Sequence, residues 1–114
     1  MTKIVIYSLN GCGHSRAAVE TLKRNNIKYE LFNVDWDDKE DYKRSNNMQT
    51  FPQIFFENKN SSRIKIGGNS DLNNILDLVK KTKKNKKFDI MLNSIKNNLS
   101  IDKRTSLELI HFLV

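Results

Sequence analysis

The chain of 114 residues carries 20 Lys and Arg against 13 Asp and Glu, a formal charge of +7, and one cysteine. That length suits one domain with a single core and a short appendage, and a lone cysteine excludes any disulfide within the chain, so the cytoplasm is the expected location. Apolar runs are only a few residues long and the N-terminus already reads as strand, so neither a membrane span nor a signal peptide is expected.

Ile4 to Tyr7 is a β-branched and aromatic run closed by the turn formers Ser8, Asn10 and Gly11, the pattern of a buried strand. From Gly13 to about Asn25 the residues Ala17, Ala18, Val19 and Leu22 recur at helical spacing, and Asn25-Asn26 is a stop signal. Cys12 therefore falls where a strand ends and a helix begins. The first N–H groups of a helix lack intrahelical acceptors and the peptide dipoles add partial positive charge, so a thiolate there is favoured over the thiol. Such a position lowers a cysteine pKa from about 8.5 into a range of about 3.5 to 7.5, and the thiolate is the nucleophile. The competing reading, a small buried hydrophobe, sits poorly with Gly11 and Gly13 on either side.

Lys28 to Val34 reads as a second strand, with Tyr29, Leu31 and Asn33 on one face and Glu30, Phe32 and Val34 on the other. Asp35, Asp37 and Asp38 make an acidic turn, and Asp38 is placed to cap a polar surface helix over Lys39 to Asn47. Phe51 to Phe56 is a third strand with the only proline, Pro52, near its start. Glu57 to Ser62 is turn-like, and Arg63 to Ile66 is a short fourth strand. Gly67 to Asp71 leads into a helix marked by Leu72, Ile75, Leu76 and Val79, with Asn69 or Ser70 as its cap. The order β-α-β-α-β-β-α describes an α/β fold on a four-stranded mixed sheet.

The excess charge belongs to the far end. Residues 1–79 hold 11 basic against 10 acidic side chains, whereas residues 80–114 hold 9 against 3. The run Lys80 to Lys87 therefore marks a division into a core of residues 1–82 and a basic, helical extension of residues 83–114. Within the extension Phe88, Met91, Leu92, Ile95 and Leu99 form one helical stripe and Leu107, Ile110 and Val114 another, with Thr105 and Glu108 spaced as a capping box. The stripes are expected to cover the core or each other, and the lysine run to be a solvated linker. Nucleic-acid binding by that run is the lesser reading, since no aromatic residues interleave it and no binding motif accompanies it.

Three motifs in order carry a family likeness: Ile6-Tyr7-Ser8-x-x-Gly11-Cys12-x-x-Ser15, Thr50-Phe51-Pro52-Gln53-Ile54-Phe55, and Ile66-Gly67-Gly68-Asn69-Ser70-Asp71-Leu72. Over about residues 3–81 the chain resembles glutaredoxin, a branch of the thioredoxin fold. The resemblance implies a cis Pro52, a glutathione site in which the backbone of Phe51 pairs with the cysteinyl part, and a γ-glutamyl subsite at the N–H groups of Asn69 and Ser70 and the carboxylate of Asp71. Thr50, Pro52 and Gly68 belong to the same implied site. Two departures stand out. Dithiol relatives have Cys-Pro-Tyr-Cys, but here the residues are Cys12-Gly13-His14-Ser15, so Ser15 replaces the resolving thiol. Leu9 stands where relatives carry a lysine that binds the glycine carboxylate of glutathione, and Arg16, Lys39, Lys43 and Gln49 are the candidates to compensate. His14 has two readings, a half-exposed ring beside the sulfur or a proton donor to a departing thiolate.

The implied activity is that of a monothiol glutaredoxin, which reduces glutathionylated proteins or small mixed disulfides through a Cys12–glutathione disulfide. Glutathione is then the co-substrate, and no membrane partner is implied. The alternative is a [2Fe–2S] carrier in which two protomers each supply Cys12 and one glutathione, suggested by monothiol relatives with Cys-Gly-Phe-Ser. Against it, the Trp-Pro-Thr motif, nearby lysine and extra residues before the cysteine of those relatives are missing, so the chain looks more like the dithiol branch with a serine substitution.

Overall fold

The computed structural model describes residues 2–85 and 88–113, with side chains outside residues 82–88. Strands β1 (Lys3–Leu9), β2 (Tyr29–Val34), β3 (Gln53–Glu57) and β4 (Arg63–Gly67) form one sheet in the order β2-β1-β3-β4. β1 pairs with β2 in parallel and with β3 antiparallel, and β3 pairs antiparallel with β4. The sheet is mixed, as the sequence predicts.

Helix α1 (Gly13–Arg24) makes the crossover from β1 to β2, α2 (Lys39–Asn46) links β2 to β3, and α3 (Asn69–Asn85), α4 (Phe88–Leu99) and α5 (Lys103–Leu113) follow β4. The apolar run of β1 is explained by its place in the middle of the sheet. Ile4 and Ile6 enter one cluster with Leu22, Ile54, Phe56 and Leu72, whereas Val5, Tyr7 and Leu9 enter a second with Val34, Phe51 and Phe55. A strand covered on both faces needs apolar residues at every position. On the second face Tyr7 stacks on Phe32 with ring centroids 5.0 Å apart and meets Phe55 edge-on at 6.0 Å. Each fully buried side chain such as Leu22 or Leu72 contributes about 1.5–3 kcal/mol of apolar transfer.

One local expectation here is corrected. Asp38 occupies the position before α2 but its side chain makes no capping bond, because a 3₁₀ turn at Trp36–Asp38 leads directly into the helix. The end of α2 falls at Asn46-Asn47 as expected, with Asn47 in the left-handed conformation at φ 52. Leu31 lies in β2 as expected and is 39% exposed on that edge strand.

The extension joins the main core. Met91, Leu92, Ile95, Leu109, Ile110 and Leu113 lie in the same buried cluster as Ile4 and Phe56, and the Phe112 ring sits 5.7 Å from that of Phe56. A division between residues 82 and 83 runs through α3, which continues through the lysine run as far as Asn85. Lys86 and Lys87 of the linker and Val114 of the second stripe lie outside the described residues, as do the side chains of Lys83, Lys84 and Phe88. The capping box at Thr105 and Glu108 is not formed: Asp102 caps α5, its carboxylate accepting the Thr105 N–H at 2.7 Å. The buried face of α5 is accordingly Ser106, Leu109, Ile110 and Leu113, with Leu107 half-buried at its margin.

Candidate active site

The site starts in the tight turn after β1. Cys12 N–H donates to the Leu9 carbonyl at 3.0 Å, and Gly11, at φ 81, takes the left-handed third position of that turn, where a side chain would be strained. Asn10 Nδ2 donates to Asp35 Oδ1 at 2.7 Å and ties the turn to the end of β2. Cys12 is then the N-cap of α1, in extended backbone at φ −88, ψ 120, and its carbonyl accepts the first helical N–H, from Arg16, at 3.1 Å. The sulfur is half-buried and packs against the cluster that contains Leu9 and Phe51.

Ser15 is fully buried, and its hydroxyl accepts the Leu9 N–H at 3.1 Å, so its own proton is free for the sulfur. Burial pushes the Cys12 thiol up, but hydrogen bonds from the Ser15 backbone N–H, the Ser15 hydroxyl and the His14 backbone N–H together hold it below its ordinary value. No charged side chain contributes among the described residues. Of the cations that could replace a lysine at Leu9, Lys39 lies 4.0 Å over the Trp36 ring, Lys43 pairs with Glu40 at 3.4 Å, and Arg16 is exposed. Leu9 itself is buried in the second cluster. The helix terminus and Ser15, rather than a neighbouring cation, poise this thiolate.

Thr50, Phe51, Pro52, Gly68, Asn69, Ser70 and Asp71, together with His14, line one open cleft of about 300 Å³. His14 joins this cleft to Cys12, two residues earlier in the chain. The Phe51–Pro52 peptide is cis. A larger hollow of about 570 Å³ lies between Thr2, Lys59 and α5, at the opposite end of β1 from the cysteine. It contains no thiol, so chemistry rather than size selects the smaller cleft.

At the far end of the cleft the structure revises the capping of α3. Neither Asn69 nor Ser70 caps the helix; Gly68 occupies the N-cap position and Asp71 reaches back, its Oδ2 accepting the Gly68 N–H at 2.9 Å. The first helical bond is Leu72 N–H to the Gly68 carbonyl at 3.1 Å. The N–H groups of Asn69, Ser70 and Asp71 thus have no intrahelical acceptor and sit at the positive end of the helix, suited to a carboxylate. Asp71 keeps Oδ1 for a cation. Gly67, at φ 124, has to be glycine for a second reason, since a Cβ there would collide with the Asp71 carboxylate.

Two features of the site go beyond the sequence motifs: the Asn10–Asp35 tie and the position of Trp36, whose Nε1 comes within 3.9 Å of where a Cβ of Gly11 would stand. The acidic turn around Asp35 and Trp36 is the one sequence signal that bears on both. Trp36 remains 57% exposed.

A mixed β2-β1-β3-β4 sheet, a cysteine at the N-cap of the first helix and a cis-proline ahead of the third strand define a thiol protein of thioredoxin-like fold. A family model described as glutaredoxin matches residues 4–60, half of the chain, and the chain belongs to the glutaredoxin family. Glutaredoxins are in general oxidoreductases that use glutathione as co-substrate. A solved structure of glutaredoxin 1 from Francisella tularensis, complexed with cacodylate, is similar in fold at a TM-score of 0.58 and 24% identity. The match covers 99% of that chain and 71% of this one, so the remainder here has no counterpart there. No curated protein matches.

Proposed function

We propose that the protein is a monothiol glutathione-dependent oxidoreductase that removes glutathione from mixed disulfides. The reading rests on one observation above all: the sole cysteine sits half-exposed at a helix N-terminus, three residues before a buried Ser15 in place of a second thiol, and beside a cleft that runs to Asp71.

The Cys12 thiolate attacks the glutathionyl sulfur of a mixed disulfide. The old S–S bond breaks, the Cys12–glutathione bond forms, and the departing thiolate takes a proton from solvent or from His14, which lines the cleft. A second glutathione thiolate attacks the glutathionyl sulfur on Cys12, giving oxidised glutathione and restoring the Cys12 thiolate. In the intermediate the backbone of Phe51 pairs with the cysteinyl part, flanked by Thr50 and Pro52. The γ-glutamyl carboxylate meets the N–H groups of Asn69 and Ser70 beside Gly68, and its ammonium meets Asp71 Oδ1. Ser15 cannot form a disulfide, so disulfides that need two enzyme thiols are poor substrates. The partners are glutathione and glutathionylated proteins or small mixed disulfides, in the cytoplasm.

Mass spectrometry after incubation with oxidised glutathione tests the first half of the cycle, and a β-hydroxyethyl disulfide assay tests the whole. One glutathionyl group on Cys12, and turnover abolished in Cys12→Ser, are expected. A protein that stays unmodified and inactive overturns the reading. Visible charge-transfer bands in a dimer reconstituted with iron, sulfide and glutathione, without turnover, would favour cluster carriage by the same sulfur.

A further inference from the structure

The return of α4 along α3 brings the last residues of α4 to the turn that begins α3. α4 ends there in a tight C-terminal turn, with Ser100 at φ 54 and the Ile101 N–H donating to the Lys96 carbonyl at 3.1 Å. Between the two helices and β4 lies a second cleft of about 290 Å³, lined by Ile66, Asp71, Asn74, Ile75, Asn98 and Leu99. Asp71 lines this cleft and the one beside Cys12, so the two meet at its side chain. The far wall is made by the C-terminal extension, beyond the residues matched by the family model.

We propose that this second cleft continues the substrate groove and takes a polypeptide segment flanking a target cysteine, which gives the extension a part in choosing substrates. The proposal rests on the reading of Cys12 as the disulfide-exchanging nucleophile. The lining selects the occupant. No lysine or arginine is among its lining residues and its only ionisable group is Asp71, so an anionic ligand has nothing to hold it. Asn74 and Asn98 are both exposed, and each carboxamide offers two donors and an acceptor, the complement of a peptide group. Ile66, Ile75 and Leu99 supply apolar surface for an aliphatic side chain. Because Asp71 lines both clefts, a chain bonded to Cys12 and lying in the first cleft meets the second at that residue.

The chemistry is ordinary exchange. In this branch the peptide takes the first cleft in place of glutathione, so R is the leaving group: the Cys12 thiolate attacks the peptide sulfur of a peptide–S–S–R disulfide, the bond to R breaks, Cys12–S–S–peptide forms, and RS⁻ leaves to be protonated.

The probe is a set of single-cysteine peptides activated as 2-pyridyl disulfides, lengthened stepwise with neutral aliphatic residues on either side of the cysteine, with glutathionyl 2-pyridyl disulfide as reference. Release of pyridine-2-thione reports formation of the Cys12 adduct. The full-length protein is expected to react faster as residues are added on one side of the cysteine only. Asn74→Ala with Asn98→Ala should remove that gain, about threefold to tenfold, while leaving the glutathionyl reagent unaffected. Asn98→Trp, which fills the cleft, should do the same. Rates indifferent to peptide length, or a gain that survives all three substitutions, overturn the proposal. Lack of reaction at Cys12 with every reagent would instead overturn the reading of the nucleophile.

Discussion

Ser15 carries more of the site than its type suggests. It accepts the Leu9 N–H, which fixes the end of β1, and its hydroxyl helps to hold the Cys12 thiol below its ordinary pKa. Ser15→Ala removes the hydroxyl and orphans the buried Leu9 N–H, so the Cys12 pKa should rise; thiolate absorbance near 240 nm against pH, compared with wild type, reports that shift. The sign for stability follows from the same direction. The folded pKa is depressed, so the thiolate's contribution is complete above the pKa of the unfolded thiol and is lost as pH falls through the folded value. The stability difference between wild type and Cys12→Ser should therefore shrink on acidification, and a gap that widened would contradict it. Cys12 as nucleophile was legible because an apolar run, a glycine-flanked cysteine and a helical repeat in that order put the sulfur at a helix start, where a thiolate is favoured. The double use of Ser15 was not, since nothing in a sequence reveals which N–H a buried hydroxyl will meet.

At the level of elements, strands and helices were readable from periodicity, whereas their ends were decided by backbone geometry. The sequence offers Asn69 or Ser70 as the cap for α3. The fold chooses Gly68 with Asp71 because Gly67 at φ 124 turns the chain so that only the third residue of the helix reaches back. Gly67→Ala is expected to cost about 1–3 kcal/mol from the left-handed backbone alone, with displacement of Asp71 in addition. It should therefore lower the melting temperature and raise KM for glutathione together, whereas Ile64→Val, a half-buried residue on the same strand, should change only the first. Likewise Thr105 and Glu108 have the spacing of a capping box, yet Asp102 holds the start of α5. The Thr105 hydroxyl and N–H hold the Asp102 carboxyl below its usual range, so that contribution is present above the unfolded carboxyl pKa and lost as pH falls through the folded one.

For the molecule as a whole, the amphipathic stripes of the extension established that something had to cover them, but not what. An apolar face is equally satisfied by a partner helix, a second chain or the existing core. Here α4 and α5 both add to the cluster that already holds β1, β3, α1 and α3, and Leu109 and Ile95 are as fully buried there as Ile4 or Phe56. Removing Leu109 therefore opens a cavity in the one large core and not in a detachable appendage. Leu109→Ala should destabilise the protein by about 2–5 kcal/mol. More tellingly, it should shift a single unfolding transition, and far-UV dichroism and the near-UV signal of Trp36 should report the same midpoint. Two separated transitions, with the Trp36 signal unmoved by Leu109→Ala, would mean that the extension folds apart from the domain that carries Cys12. A single shared midpoint makes α4 a rigid wall at the Asp71 end of the groove, because the segment that presents Asn98 melts only when the thiol site does.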